Sequence, residues 1–120
     1  MDQIDVKSVQ DLHALTDDLN VAFQDFEQQL RKFNPGVRAE VGLSGGWKLC
    51  WTKCERWGLF AQGDADEFMP ICNASRNVRV QAASLLPGLV QAINVVVQDE
   101  RARVVAAAEQ VRQLQALLKG

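Results

Sequence analysis

Residues 37–53 read VRAEVGLSGGWKLCWTK, and the period of this stretch decides the fold. Val37, Ala39, Val41 and Leu43 alternate with Arg38, Glu40, Gly42 and Ser44. After a break, Trp47, Leu49 and Trp51 alternate with Lys48, Cys50 and Thr52. A period of two sends successive side chains to opposite faces of a strand. Ser44-Gly45-Gly46 is then the turn of an antiparallel hairpin. A two-residue Gly45-Gly46 loop would pair Ser44 with Trp47 and put Leu43 on the face of Lys48. A three-residue loop pairs Leu43 with Trp47 and Val41 with Leu49, keeps one apolar face, and is the preferred register, with Gly46 in the left-handed conformation. Trp57, Leu59 and Ala61 alternate once more and predict a third strand. The turn before it, near Lys53–Arg56, has no Gly and leaves its register open.

Upstream, the spacing predicts one helix over 6–33. Val9, Leu12, Thr16, Leu19, Phe23, Phe26, Leu30 and Phe33 follow each other at gaps of three or four, a heptad seam held for almost four heptads. Asn34-Pro35-Gly36 ends it. Downstream, Gly63–Glu67 is a polar loop, and Phe68–Cys72 reads as at most a short extended piece that Pro70 confines to an edge. Asn73 or Ser75 caps a helix from about Arg76 to Leu86. Pro87-Gly88 interrupts it, and a longer helix from about Leu89 carries a second seam: Val90, Ile93, Val97, Glu100, Val104, Ala107, Val111, Leu114 and Leu118. The expectation is a single α+β domain over residues 1–120. It has a long N-terminal helix, a three-stranded antiparallel meander, then one short and one long C-terminal helix.

Composition sets the functional bounds. Apolar residues make up 48% and charged residues 23%, both ordinary for a globular domain. A formal net charge of −2 gives no reason to expect nucleic-acid binding. The charge is unevenly distributed: residues 1–33 hold seven acids and three bases, residues 76–120 six bases and three acids. Cys50, Cys54 and Cys72 are an odd number of thiols, and the N-terminus has no secretory pattern. No apolar run approaches the ~20 residues that span a bilayer. These features predict a cytoplasmic protein with reduced thiols and no membrane association.

Candidate sites are few. Trp47 and Trp51 share a strand face and could stack a flat ligand, but their alternation with Val41, Leu49 and Leu59 favours the core. Ser75-Arg76-Asn77-Val78-Arg79 is the most site-like segment. Two cations in a first helical turn oppose the helix dipole, so they suit an anion at the free backbone amides or, as the simpler expectation, an ion pair with Asp64, Asp66 or Glu67. The acids of that loop lack the glycine and further ligands of a calcium loop, and a single histidine, His13, makes zinc improbable. No phosphate loop, nucleophile elbow or nucleophile–base pair is present in the sequence, so no catalytic residue, metal or cofactor is expected.

Trp47-Lys48-Leu49-Cys50-Trp51-Thr52-Lys53 with Trp57-Gly58-Leu59, followed by Ala74–Ala83 and Leu86-Pro87, resembles small uncharacterised bacterial proteins of plasmids, phages and mobile gene cassettes. Those share a W-x-L-x-W-x-K hairpin, an R-x-V-R-x-x-A-A helix and L-P. The resemblance covers about residues 47–90 and implies no activity, so it assigns no functional residue.

A helix of about 28 residues spans roughly 40 Å, whereas a 120-residue globule is only about 30 Å across. Part of each seam must therefore find the other helix or a second subunit. The expectation is an interaction module without catalytic activity: a homodimer through its oppositely charged long helices, preferred over antiparallel packing within one chain, that binds a further, unidentified protein partner. The alternative is a small-ligand or anion binder using Arg76, Arg79, Ser75, Trp47 and Trp51.

Overall fold

The protein is described by a computed structural model covering residues 3–119. Helix α1 spans Val6–Phe33. Strands β1 (Ala39–Gly42), β2 (Lys48–Cys54), β3 (Arg56–Gln62) and β4 (Phe68–Pro70) form an antiparallel meander in the order β1-β2-β3-β4. Helix α2 then runs without a break from Arg76 to Lys119.

α1 occupies the span that its seam predicts. Asp5 caps it, with its side chain accepting from the Ser8 backbone N–H at 3.2 Å and the Ser8 hydroxyl at 2.8 Å. Asn34 closes it in the left-handed conformation (φ 48°), returning its N–H to the Leu30 and Arg31 carbonyls.

The first hairpin adopts the expected register. Val41 faces Leu49, and the Leu43 N–H donates to the Trp47 carbonyl at 2.7 Å. Gly45 and Gly46 both have positive φ, and a Cβ on Gly46 would overlap the Asp64 carboxylate. The second turn is tighter: Cys54 faces Arg56 across Glu55, which takes φ 68° without being glycine.

Two expectations are corrected. The sheet has four strands, because Phe68–Pro70 pairs with Phe60–Gln62; Pro70 is tolerated on the outer edge, where its missing donor faces no further strand. The C-terminal region is one helix of 44 residues, not two. Pro87 cannot donate to the carbonyl four residues back, a defect of about 3 kcal/mol in an exposed helix. Here Ala82 on one side and Leu89 and Ile93 on the other are buried on the sheet, so packing holds the axis through Pro87.

One sheet face carries the core. Ala39, Trp51 and Leu59 form one cross-strand row, and Val41, Leu49, Ala61 and Met69 the next. α2 covers β1 and β2 with Val78, Ala82, Leu89 and Ile93, and α1 lies over β3 with Phe23. Trp51 is 1% exposed and stacks on Trp57 with ring centroids 6.0 Å apart, while Trp47 is half-buried at the rim of the core.

β4 reaches β3 only as far as Phe60, so the rest of that β3 edge lacks a strand. α1 fills the place. Arg31 Nε donates to the Trp57 carbonyl at 2.7 Å, and Glu27 Oε2 accepts the Leu59 N–H at 2.7 Å. Glu27 and Arg31 also pair with each other. One helical turn thus presents the donor and acceptor that a neighbouring strand would. Gly58 makes this possible, since a Cβ there would sit 2.9 Å from Glu27 Oε2.

Glu27→Ala leaves the buried Leu59 N–H without its acceptor and should cost about 2–3 kcal/mol in urea unfolding. Gly58→Ala should also destabilise. The double variant should lose less than the two costs together, because the carboxylate that the new methyl meets is gone. Strictly additive costs would contradict the contact.

Candidate functional site

Three features could serve as sites: the outer sheet face, the start of α2, and the bare ends of the two long helices.

The outer face gathers Arg38, Glu40, Lys48, Cys50, Phe60, Gln62 and Phe68. Their polar groups satisfy one another. Glu40 takes Arg38 at 3.6 Å and Lys48 at 3.5 Å. Arg38 lies 5.6 Å from the Phe68 ring centroid, and Gln62 donates to Asp66 at 3.3 Å. The Cys50 thiol is fully buried, with Glu40 Oε2 and Gln62 Oε1 each 3.9 Å from its sulfur. Burial first, and the Glu40 charge second, push this thiol above the ordinary range. That is the reverse of nucleophile activation, which needs a stabilised thiolate. Burial and then the Glu27 charge raise Cys72 in the same way. Cys54 is exposed.

At the start of α2, Ser75 caps the helix, its Oγ accepting the Val78 N–H at 3.3 Å. Arg76 and Arg79 do not reach the Asp64–Glu67 loop. Arg76 Nε donates to Thr16 Oγ1 at 3.2 Å, and Arg79 Nη1 to Asn20 Oδ1 at 2.8 Å. Among the described residues neither guanidinium has a carboxylate within ion-pair distance. These two bonds set the direction of the helices. Residues 16 and 20 lie beside 76 and 79, and Phe26–Phe33 beside Val90–Val97, so α1 and α2 run the same way. The expected site residues therefore separate: Trp51 is in the core, Trp47 is at its rim, and Ser75, Arg76 and Arg79 sit at the α1–α2 junction.

The parallel arrangement leaves an overhang at each end. Residues 3–18 include the start of α1 up to the junction, and all but Thr16 are exposed; residues 101–119 form the far end of α2, and all but Ala108 are exposed. The molecule measures 89 × 28 × 24 Å as a result. The middle of each seam is used within the chain: Leu19, Phe23, Phe26 and Leu30 on α1, and Val90, Ile93 and Val97 on α2, are buried or half-buried. The ends are bare, with Val104 61%, Val111 54%, Leu114 60% and Leu118 87% exposed. A groove of about 420 Å³ lined by Phe26, Leu30, Phe33, Val90, Ile93 and Val97 runs out from the core, and a second of about 320 Å³, lined by Pro35, Val37, Val97, Val104 and Val105, adjoins it at the start of the bare stretch. By length and composition alone α2 is also apolar enough to cross a membrane, although the same helix buries four residues on the sheet.

Glu27, Arg31 and Gly58 escape a reading of the sequence for sites; the signal available for them is a glycine inside a strand, which marks close approach of another group. Comparison with protein-family models, curated proteins and solved structures finds no match to this chain.

Alkylation should reach Cys54 first, Cys72 more slowly and Cys50 last. The raised thiols keep their protons in the folded state after the unfolded chain has lost them, so stability should fall as pH rises above about 8.5. Cys50→Ala should flatten that fall. Labelling of Cys50 as fast as Cys54 in the folded protein would contradict the burial.

Proposed function

We propose that the protein is a protein–protein interaction module that assembles with a second copy of itself through its long helices. The observation that carries this reading is the α2 seam. It is buried or half-buried from Leu89 to Val97 and continues in the same heptad register, uncovered, through Val104, Val111, Leu114 and Leu118. A lone surface helix has no need of an apolar stripe held in register over roughly its last five turns. Isolated helices are marginal in water, and most helical stability comes from packing an apolar face. The buried, neutral Cys50 and the self-satisfied polar groups of the outer face support a binding role over a catalytic one.

Light scattering at micromolar concentration should report at least twice the 13.3 kDa chain mass. Val104→Asp with Val111→Asp, both on the exposed stretch, should return the mass to one chain while near-UV dichroism of the stacked Trp51–Trp57 pair is kept. A clean wild-type monomer would overturn the proposal.

A further inference from the structure

Given that reading, the structure also points to how two copies meet. We infer that each chain lays its acidic N-terminal arm along the basic C-terminal arm of the other, in a reciprocal antiparallel dimer.

The charges come first. Residues 3–18 hold Asp5, Asp11, Asp17 and Asp18 against Lys7 alone; residues 101–119 hold Arg101, Arg103, Arg112 and Lys119 against Glu109 alone. Over these bounds the arms carry −3 and +3; counted outward from Thr16 and Val97, the residues that bound the overlap, residues 3–15 carry −1 and residues 98–119 carry +1, smaller but still opposite in sign. Arg103 and Arg112 bridge to Glu100 and Glu109 at 2.9 Å, but these are exposed pairs three residues apart on one helix, which a partner can share at little cost.

The geometry makes the complementarity intermolecular. α1 and α2 are parallel and overlap from the Thr16–Arg76 contact to the Phe33–Val97 region, so the two arms leave opposite ends of the same body. They cannot touch within one chain. A twofold axis perpendicular to the helices, passing near the middle of the overlap, reverses the second copy. Its α1 arm then lies beside the first copy's α2 arm, antiparallel to it, and the same pairing is formed at the other end. Both arm pairs are satisfied and the assembly closes at two chains.

The apolar residues agree. Val9 and Leu12, the start of the α1 seam, are 39% and 42% exposed, and they would meet the stripe of Val104, Val111, Leu114 and Leu118. An α2 arm pairing with a second α2 arm would bring two arms of net positive charge together and leave the α1 arm bare. An α1 arm on an α1 arm would do the converse.

Charge exchange tests this directly. An acidic-arm variant (Asp11→Lys, Asp18→Lys) and a basic-arm variant (Arg101→Glu, Arg112→Glu) change exposed positions only. Each alone places like charges at both arm pairs and should weaken self-association at low salt by at least about tenfold. Mixed in equal amounts, the two variants should form a heterodimer tighter than either variant's homodimer, because every arm pair is opposite in sign again. Wild-type association should weaken as salt rises. A wild-type dimer whose mass is untouched by the acidic-arm variant would overturn the arm exchange while leaving assembly through α2 standing. A mass that climbs past two chains with concentration would overturn the reciprocal closure, and a wild-type monomer would remove both readings.

Discussion

The contact of Glu27 and Arg31 with the backbone of β3 is the constraint on which the rest depends. α1 has a continuous apolar seam, and a seam alone would let the helix slide by a heptad along any apolar surface. Two hydrogen bonds of 2.7 Å, to the Trp57 carbonyl and from the Leu59 N–H, permit one position only. They also complete a strand edge that β4 is too short to cover, so moving α1 would strand buried backbone polar groups. With α1 fixed on β3 and α2 fixed on β1 and β2, the overlap of the two helices is set: the later part of α1 lies beside the earlier part of α2.

The overhangs follow from that overlap. α1 begins ahead of the Thr16–Arg76 contact, and α2 continues well beyond the end of α1 at Phe33. Arg76 and Arg79, bonded to Thr16 and Asn20, hold the parallel direction at one end of the overlap. At the other end Phe26 and Leu30 of α1 and Val90, Ile93 and Val97 of α2 line the two walls of one apolar groove. Opposite charge, which in an antiparallel pair would be neutralised within the chain, is here carried to opposite ends.

Much of this is legible in the residues. The ends of α1 are readable because the heptad runs unbroken into Asn34-Pro35-Gly36, and the first hairpin's register because only one pairing keeps Val41 and Leu49 on an apolar face. Phe68–Pro70 is not readable as a paired strand, since three residues with a proline have no pattern of their own. Pro87-Gly88 misleads: local propensity favours a break, and burial of Ala82 and Leu89 on either side overrides it. Sequence proximity offers the arginines at the start of α2 the acids of the 64–67 loop, whereas the sheet carries Asp64 to the Gly46 turn and α1 brings Thr16 and Asn20 instead. Glu27 and Arg31 look from sequence like a solvated i,i+4 pair; only Gly58, a glycine within a strand, marks the place where a side chain must come close to the backbone.

If the helical end of α2 is completed by another molecule, hydrogen exchange of the amides over residues 101–119 will register it. An arm covered by a partner should exchange slowly at high protein concentration and lose that protection on dilution, while the amides of β2 and β3 stay protected throughout. Fast exchange over 101–119 at every concentration, or protection there that dilution does not change, would contradict the account.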